Sequence, residues 1–227
     1  MKRLLSFFLI AGLALSLTAC GVTTPTGGAP AENDAAAADS ADAGGAAAVQ
    51  TGTGGNTLVA YFSWADNAVL SAEVDAVSSP SVVAPGNVQE LAGWVQQQTG
   101  GDLFAIRVAE PYSSDWDECL ARANEERGAD ARPALNARVD NLAAYDTVFL
   151  GYPNWWYTAP HIIRTFLESY DFSGKTIVLF ATSGGSGLGK TAQELQTSAP
   201  AAQIKSGKLL QGRLSADALR RWVESIA

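Results

Sequence analysis

Three apolar runs constrain this chain more than any other feature: Thr57 to Phe62, Thr147 to Tyr152 and Thr176 to Ala181. They are continuous rather than alternating, the pattern of strands covered on both faces. Leu103 to Val108 and Gln203 to Leu210 are weaker strand candidates. Between the runs, apolar residues recur at helical spacing. Val88, Leu91, Ala92 and Val95 form one stripe, and Trp116, Cys119, Leu120 and Ala123 a second. Ile162, Ile163, Phe166, Leu167 and Tyr170 form a third, and Leu219, Trp222, Val223 and Ile226 the last. Five strands alternating with helices predict an α/β fold, a doubly wound five-stranded parallel sheet with right-handed crossovers.

The ends of the chain differ from this middle. Lys2 and Arg3 precede the apolar stretch Leu4 to Leu17, shorter than the ~20 residues a membrane span needs. Leu17-Thr18-Ala19-Cys20 follows it. The arrangement resembles a bacterial lipoprotein signal, which implies cleavage after residue 19 and a lipid on Cys20. No twin-arginine pair is present, so export in the unfolded state is expected. Residues 21–56 hold no aromatic residue, eleven alanines, eight glycines and four acidic residues. Such a segment cannot bury enough apolar surface to offset its ordering entropy, so residues 20–56 read as a disordered tether. The expected division is 1–19 signal, 20–56 tether and 57–227 folded domain. The location expected is extracytoplasmic, lipid-anchored to the cell membrane.

Composition excludes some functions. The whole chain has 15 basic and 23 acidic residues, a balance that repels nucleic-acid backbones. Two cysteines make no disulfide scaffold. With Cys20 lipidated, Cys119 is a lone thiol, and its apolar stripe predicts a buried small hydrophobe rather than a redox nucleophile. One histidine offers no metal cluster, and His161 has no triad partner nearby in sequence. The plain expectation for His161 is a surface residue in a helix's first turn.

In doubly wound sheets, ligands sit outside the carboxyl ends of the strands. Three segments follow the strong strands. The first begins Ser63-Trp64-Ala65-Asp66-Asn67 and reaches a helix only near Pro85-Gly86-Asn87, against a usual length of about two to six residues. The second is Pro153-Asn154-Trp155-Trp156-Tyr157-Thr158-Ala159-Pro160, and the third Thr182-Ser183-Gly184-Gly185-Ser186-Gly187. Three adjacent aromatics beside a Gly/Ser loop suit a flat conjugated ligand; the bland alternative is rings packing beneath the sheet edge and capping the next helix. Gly184, Gly189, Lys190 and Thr191 also satisfy the P-loop spacing. Residues 192–227 contain no further apolar strand ending in Asp to position Mg²⁺, which counts against that reading.

The Tyr61-Phe62-Ser63 turn, the run Gly151 to Pro160 and the loop Ala181 to Gly187 together resemble the flavodoxin family, over essentially all of 57–227. The resemblance implies strand order 2-1-3-4-5 and one non-covalent FMN. Carried over by position, Ser63, Trp64, Ala65 and Asn67, with backbone amides at Gly86 and Asn87, would surround the phosphate. Pro153, Asn154, Trp155, Trp156 and Tyr157 would flank the isoalloxazine. Ser183, Gly184, Gly185, Ser186 and Gly187 would wrap its pyrimidine edge. One departure stands out: the family's hydroxyl-rich turn is replaced by Ala65, Asp66 and Ala68, and Asp66 would repel phosphate unless it turned away.

The resemblance implies electron transfer by a membrane-tethered FMN protein, with no side chain needed as acid or base. Basic redox proteins are the expected partners. Two alternatives remain open: an FMN-dependent NAD(P)H:quinone-type oxidoreductase, and a non-redox binding lipoprotein that has lost the flavin.

Overall fold

A computed structural model of the chain describes residues 49–53, 55–72, 74, 78–211 and 216–225. The signal segment, Cys20, most of the expected tether and Ile226 lie outside the described residues.

The central sheet contains β1 (Thr57–Tyr61), β3 (Asp102–Ala105), β5 (Thr147–Pro153), β6 (Thr176–Ser183) and β7 (Gln203–Gln211). All neighbours are parallel, in the order β3-β1-β5-β6-β7. Counted among themselves, these five strands follow the expected 2-1-3-4-5. A short parallel pair, β2 (Ala68–Val69) with β4 (Tyr112–Ser113), lies apart from the sheet. Between strands run α1 (Ser79–Val82), α2 (Asn87–Thr99), α3 (Trp116–Gly128), α4 (His161–Glu168) and α5 (Thr191–Leu195), with α6 (Ala216–Glu224) after β7.

Register explains why the apolar runs could be read so directly. Thr57 pairs with Thr147 and Thr147 with Thr176, so the three runs begin in one row. Along each strand the side chains alternate between two cores, as a pleat requires. Leu58, Ala60, Val148, Leu150, Ile177 and Leu179 join the core shared with α3, α4 and α5. Val59, Tyr61, Phe149, Val178 and Phe180 join the core shared with α2 and α6. Gly151 interrupts its apolar strand because a Cβ there would lie 2.2 Å from the Phe180 ring.

Three expectations change. β3, expected over Leu103 to Val108, stops at Ala105, because the chain from Ile106 turns to meet the first loop. The expected tether does not extend to residue 56: Gln50 exchanges both backbone hydrogen bonds with Leu103, each 2.8 Å, along the free edge of β3. Gly52 N–H adds a bond to Asp102 Oδ1 at 2.6 Å. His161 is not a surface residue. It is 8 % exposed, with Nδ1 3.0 Å from the Ala131 carbonyl oxygen, because the 129–135 segment folds across the start of α4.

Candidate functional site

Level strand ends bring the loops together. Tyr61 pairs with Gly151 and Gly151 with Phe180, so the segments after β1, β5 and β6 emerge at the same edge. Between them and the start of α3 lies a cleft of 490 Å³, within the range of small-molecule sites.

One end of the cleft is polar. Ser78, Ser81, Asn87 and Val88 line it, at the beginning of α2. Gly86 precedes that helix with extended backbone and no side-chain cap, so the first-turn amides keep their donors and the positive end of the dipole. Ser63 Oγ is buried and has no hydrogen-bond partner among the described residues. It sits 2.8 Å from where a Gly86 Cβ would be, and Ala65 Cβ closes the same space at 2.8 Å. Only glycine fits there. Amides, hydroxyls and a helix start form a donor set suited to a phosphate-class anion. Among the described residues no Lys or Arg lines the cleft.

Asp66 has turned away. Its carboxylate lies 3.5 Å from Arg107 Nη2, with the Tyr61 hydroxyl beside it. Burial pushes its pKa up, and Arg107 opposes that shift. Asn67 has no hydrogen to offer a ligand. Its Nδ2 donates to the carbonyls of Ser63 at 2.8 Å and Ile106 at 3.1 Å, while Oδ1 accepts from Val108 N–H at 2.8 Å. It is a buried clamp between two loops. The hydroxyls missing near Ala65 are supplied farther along the same loop, by Ser78 and Ser81. The run Ser78-Ser79-Pro80-Ser81 was a legible signal for them.

The rest of the lining is aromatic and proline surface with two carboxylates beside it: Trp64, Trp116, Pro153, Trp155 and Thr182, with Asp115 and Asp117 flanking Trp116. Trp64 is buried and donates its indole N–H to the Ser113 carbonyl at 3.0 Å. Trp155 packs edge-on to Phe62 and Tyr112, each at 5.8 Å, which fixes its ring. Its neighbours diverge. Trp156 lies under the Arg127 guanidinium, 5.1 Å from the ring centroid, and Tyr157 is 63 % exposed. Neither lines this cleft.

The Ser183–Gly187 loop stands beyond the cleft wall and is folded on itself. Ser183 Oγ accepts from the amides of Gly185 at 3.2 Å and Ser186 at 3.0 Å. Asn154 ties it to the aromatic loop, donating from Nδ2 to Ser186 Oγ at 3.0 Å and to the Gly187 carbonyl at 2.8 Å. Thr191, the last P-loop position, is fully buried, its hydroxyl 2.5 Å from the Leu188 carbonyl and 3.0 Å from the Tyr157 carbonyl. That hydroxyl is not available to a metal ion.

Sequence reasoning missed the contribution of the segment after β3. Asp115 caps α3 by accepting from Glu118 N–H at 3.0 Å, and it lines the cleft together with Trp116 and Asp117. Trp116 was assigned to a core stripe, yet it is 52 % exposed. Three of the four residues in that stripe follow helical burial or partial burial, so periodicity alone gave no warning.

The sequence profile of the flavodoxin family matches residues 56–226. A Bacteroides eggerthii protein described as a flavoprotein is 38 % identical, with a TM-score of 0.61 over 76 % of this chain and 98 % of its own. A similarly described protein from Bacteroides uniformis is 36 % identical, with a TM-score of 0.61 over 76 % of this chain and 99 % of its own. A flavoprotein in complex with FMN from Lactobacillus acidophilus shares the fold at 17 % identity, with a TM-score of 0.52, covering 74 % and 98 % of the two chains. No curated protein matches the chain.

Proposed function

The chain belongs to the flavodoxin family, and from that premise we propose that it binds one FMN non-covalently and transfers electrons at the outer face of a cell membrane, anchored by lipid on Cys20. The observation that carries the cofactor reading is the polarity of the cleft. Hydroxyls and an uncapped helix start line part of it, and fixed aromatic and proline walls line the rest, with Asp115 and Asp117 beside Trp116.

Each group then has a task. The first-turn amides of α2, with Ser63, Ser81 and Asn87, hold the phosphate. Gly86 admits it by leaving no Cβ against Ser63 Oγ. Trp155 and Pro153 flank the ring system, and Asn154 holds the two neighbouring loops in one register. When bound, the flavin supplies the redox chemistry, taking one or two electrons. Residues 57–227 carry 13 basic and 19 acidic side chains, a net charge of −6 that opposes reduction to an anion and steers basic redox proteins to this surface. The lack of Lys and Arg along the described cleft favours a carrier over an NAD(P)H-dependent enzyme, whose dinucleotide carries additional phosphates.

Comparative titration with FMN and riboflavin, followed by quenching of flavin fluorescence, tests the cofactor. FMN should bind more tightly. Ser63→Ala should erase about tenfold or more of that advantage, as expected for a hydrogen bond to a charged group, and leave riboflavin unchanged. Gly86→Ala should act in the same direction. Unquenched FMN at micromolar protein would overturn the reading in favour of a fold retained for another ligand.

A further inference from the structure

Asp66 has no task in the flavin reading, yet it stands at the phosphate end of the cleft. It follows Ala65, whose Cβ closes the space in front of Gly86, and lies three residues after Ser63. We propose that Asp66 is a proton-operated gate on anion binding: ionised, it cancels the charge of Arg107; protonated, it leaves that charge to the bound anion. The inference rests on the reading of that end of the cleft as a phosphate site.

The Asp66–Arg107 pair is buried but incomplete. Arg107 gives Nη1 to the Asp66 backbone carbonyl at 3.0 Å and holds Nη2 3.5 Å from Oδ1, beyond the ~2.7–2.9 Å of a charge-assisted hydrogen bond. Asp66 Oδ2 and Arg107 Nε are both buried with no partner among the described residues. The Asp66 side chain is 10 % exposed. A carboxylate placed there lacks both water and a full set of donors, so the neutral acid is the cheaper state to bury. Burial accordingly holds its pKa above the usual carboxylate range, against the pull of Arg107 and the Tyr61 hydroxyl. Among the described residues these are the charged and titratable groups that face it, one after β3 and one on β1. Asn67 pins the turn to the segment after β3 through the Ile106 carbonyl and the Val108 amide, which keeps the pair in this arrangement.

An anion held by Ser63 and the α2 amides adds negative potential beside Asp66 and favours its proton. By reciprocity, the proton favours the anion. With Asp66 neutral, Arg107 supplies the positive charge that no Lys or Arg of the described cleft lining provides. Anion binding should therefore take up protons and tighten as pH falls through the Asp66 titration. A ligand without the anion should do neither. Asp115 and Asp117 also line the cleft, but both are exposed, where solvent and salt screen them.

The test titrates the full chain in detergent with FMN, riboflavin and inorganic sulfate between about pH 5 and 8, by calorimetry in two buffers of different ionisation enthalpy. Sulfate gains no proton in this range, whereas the FMN phosphate titrates at about 6 and loses charge as pH falls. Wild type should take up a fraction of a proton per anion and bind sulfate about tenfold more tightly at the acid end. Riboflavin should show neither effect. Asp66→Asn removes the charge at nearly the same shape, and should bind sulfate tightly at every pH with no proton uptake. Arg107→Gln should weaken sulfate and FMN at acid pH and leave riboflavin unchanged. The Asp66 carboxyl carbon, followed by NMR, should titrate at higher pH with sulfate bound than without, which a purely structural pair would not show. A sulfate pH slope that survives Asp66→Asn overturns the proposal, as does wild-type sulfate binding without proton uptake. If Asp66→Asn fails to fold, an unmoved carboxyl titration in wild type overturns it. Sulfate binding with the Asp66-dependent slope but no FMN binding strikes the cofactor reading alone; binding of neither anion strikes both.

Discussion

Trp156 and Tyr157 have positive φ values of 50° and 65°, in a conformation that favours glycine and asparagine. They are the central residues of a tight turn closed by Trp155 N–H to Thr158 O at 2.9 Å and Thr158 N–H to Trp155 O at 3.0 Å. Each non-glycine residue in this region costs about 1–2 kcal/mol. The Thr191 hydroxyl on the Tyr157 carbonyl and Arg127 over Trp156 offset part of the cost. Tyr157→Gly should therefore stabilise the flavin-free protein by about 1 kcal/mol in urea melts, since the exposed ring loses little burial. The same variant should leave FMN binding unchanged, because Tyr157 does not line the cleft. If it destabilises the apoprotein, the turn is not strained in this way.

Cys119 offers a second test at this scale. Burial pushes its thiol up to about 12, with Glu126 adding to the shift and Arg122 opposing it. The native protein thus keeps this proton where an unfolded thiol loses its own, so the site contributes a fall in stability as pH rises above about 8.5. At pH 8, iodoacetamide should label Cys119 much more slowly in buffer than in denaturant. Equal rates would mean that the thiol is open to solvent in the native fold.

Among the elements, the edge of the sheet shows what sequence could and could not reveal. The three apolar runs were legible because burial on both faces leaves no polar side chain to interrupt them. The docking of Gln50 on β3 was not, because backbone pairing at an edge requires no particular side chain. For the same reason the Gly/Ala-rich composition suggested disorder to residue 56. Trp116 and Asp115 escaped notice because one helical turn serves both packing and the cleft. Asp102 holds the edge arrangement together: Oδ1 accepts from Gly52 N–H at 2.6 Å and Oδ2 from the Tyr145 hydroxyl at 2.6 Å. Burial and this contact raise the Tyr145 hydroxyl to about 12. Asp102→Ala removes both bonds and leaves a largely buried hydroxyl, at a cost of about 2 kcal/mol. Hydrogen exchange should accelerate at the Gln50 and Leu103 amides and remain slow along β5 and β6. Uniform acceleration would make this edge inseparable from the core.

For the whole molecule, the decisive question is where the fold works. Cleavage after residue 19 would remove Lys2 and Arg3 and take the net charge from −8 to −10, so the mature protein gains nothing electrostatically from an anionic bilayer. In the proposed anchor, attachment comes from acyl chains alone. Each buried methylene contributes about 0.8 kcal/mol, and two or three chains suffice for a durable anchor. In the proposed anchor the thiol of Cys20 carries the diacylglycerol, and a serine at that position cannot form the thioether. Wild-type chain should incorporate radiolabelled fatty acid and sediment with membranes after a carbonate wash. Cys20→Ser should incorporate none, and peptidase processing that depends on the lipid should stop. Its flavin titration should match wild type, because the described cleft is built from residues 63–182. An unlabelled wild-type chain would refute the anchor and leave the cofactor reading standing; a labelled Cys20→Ser chain would show that another residue carries the lipid.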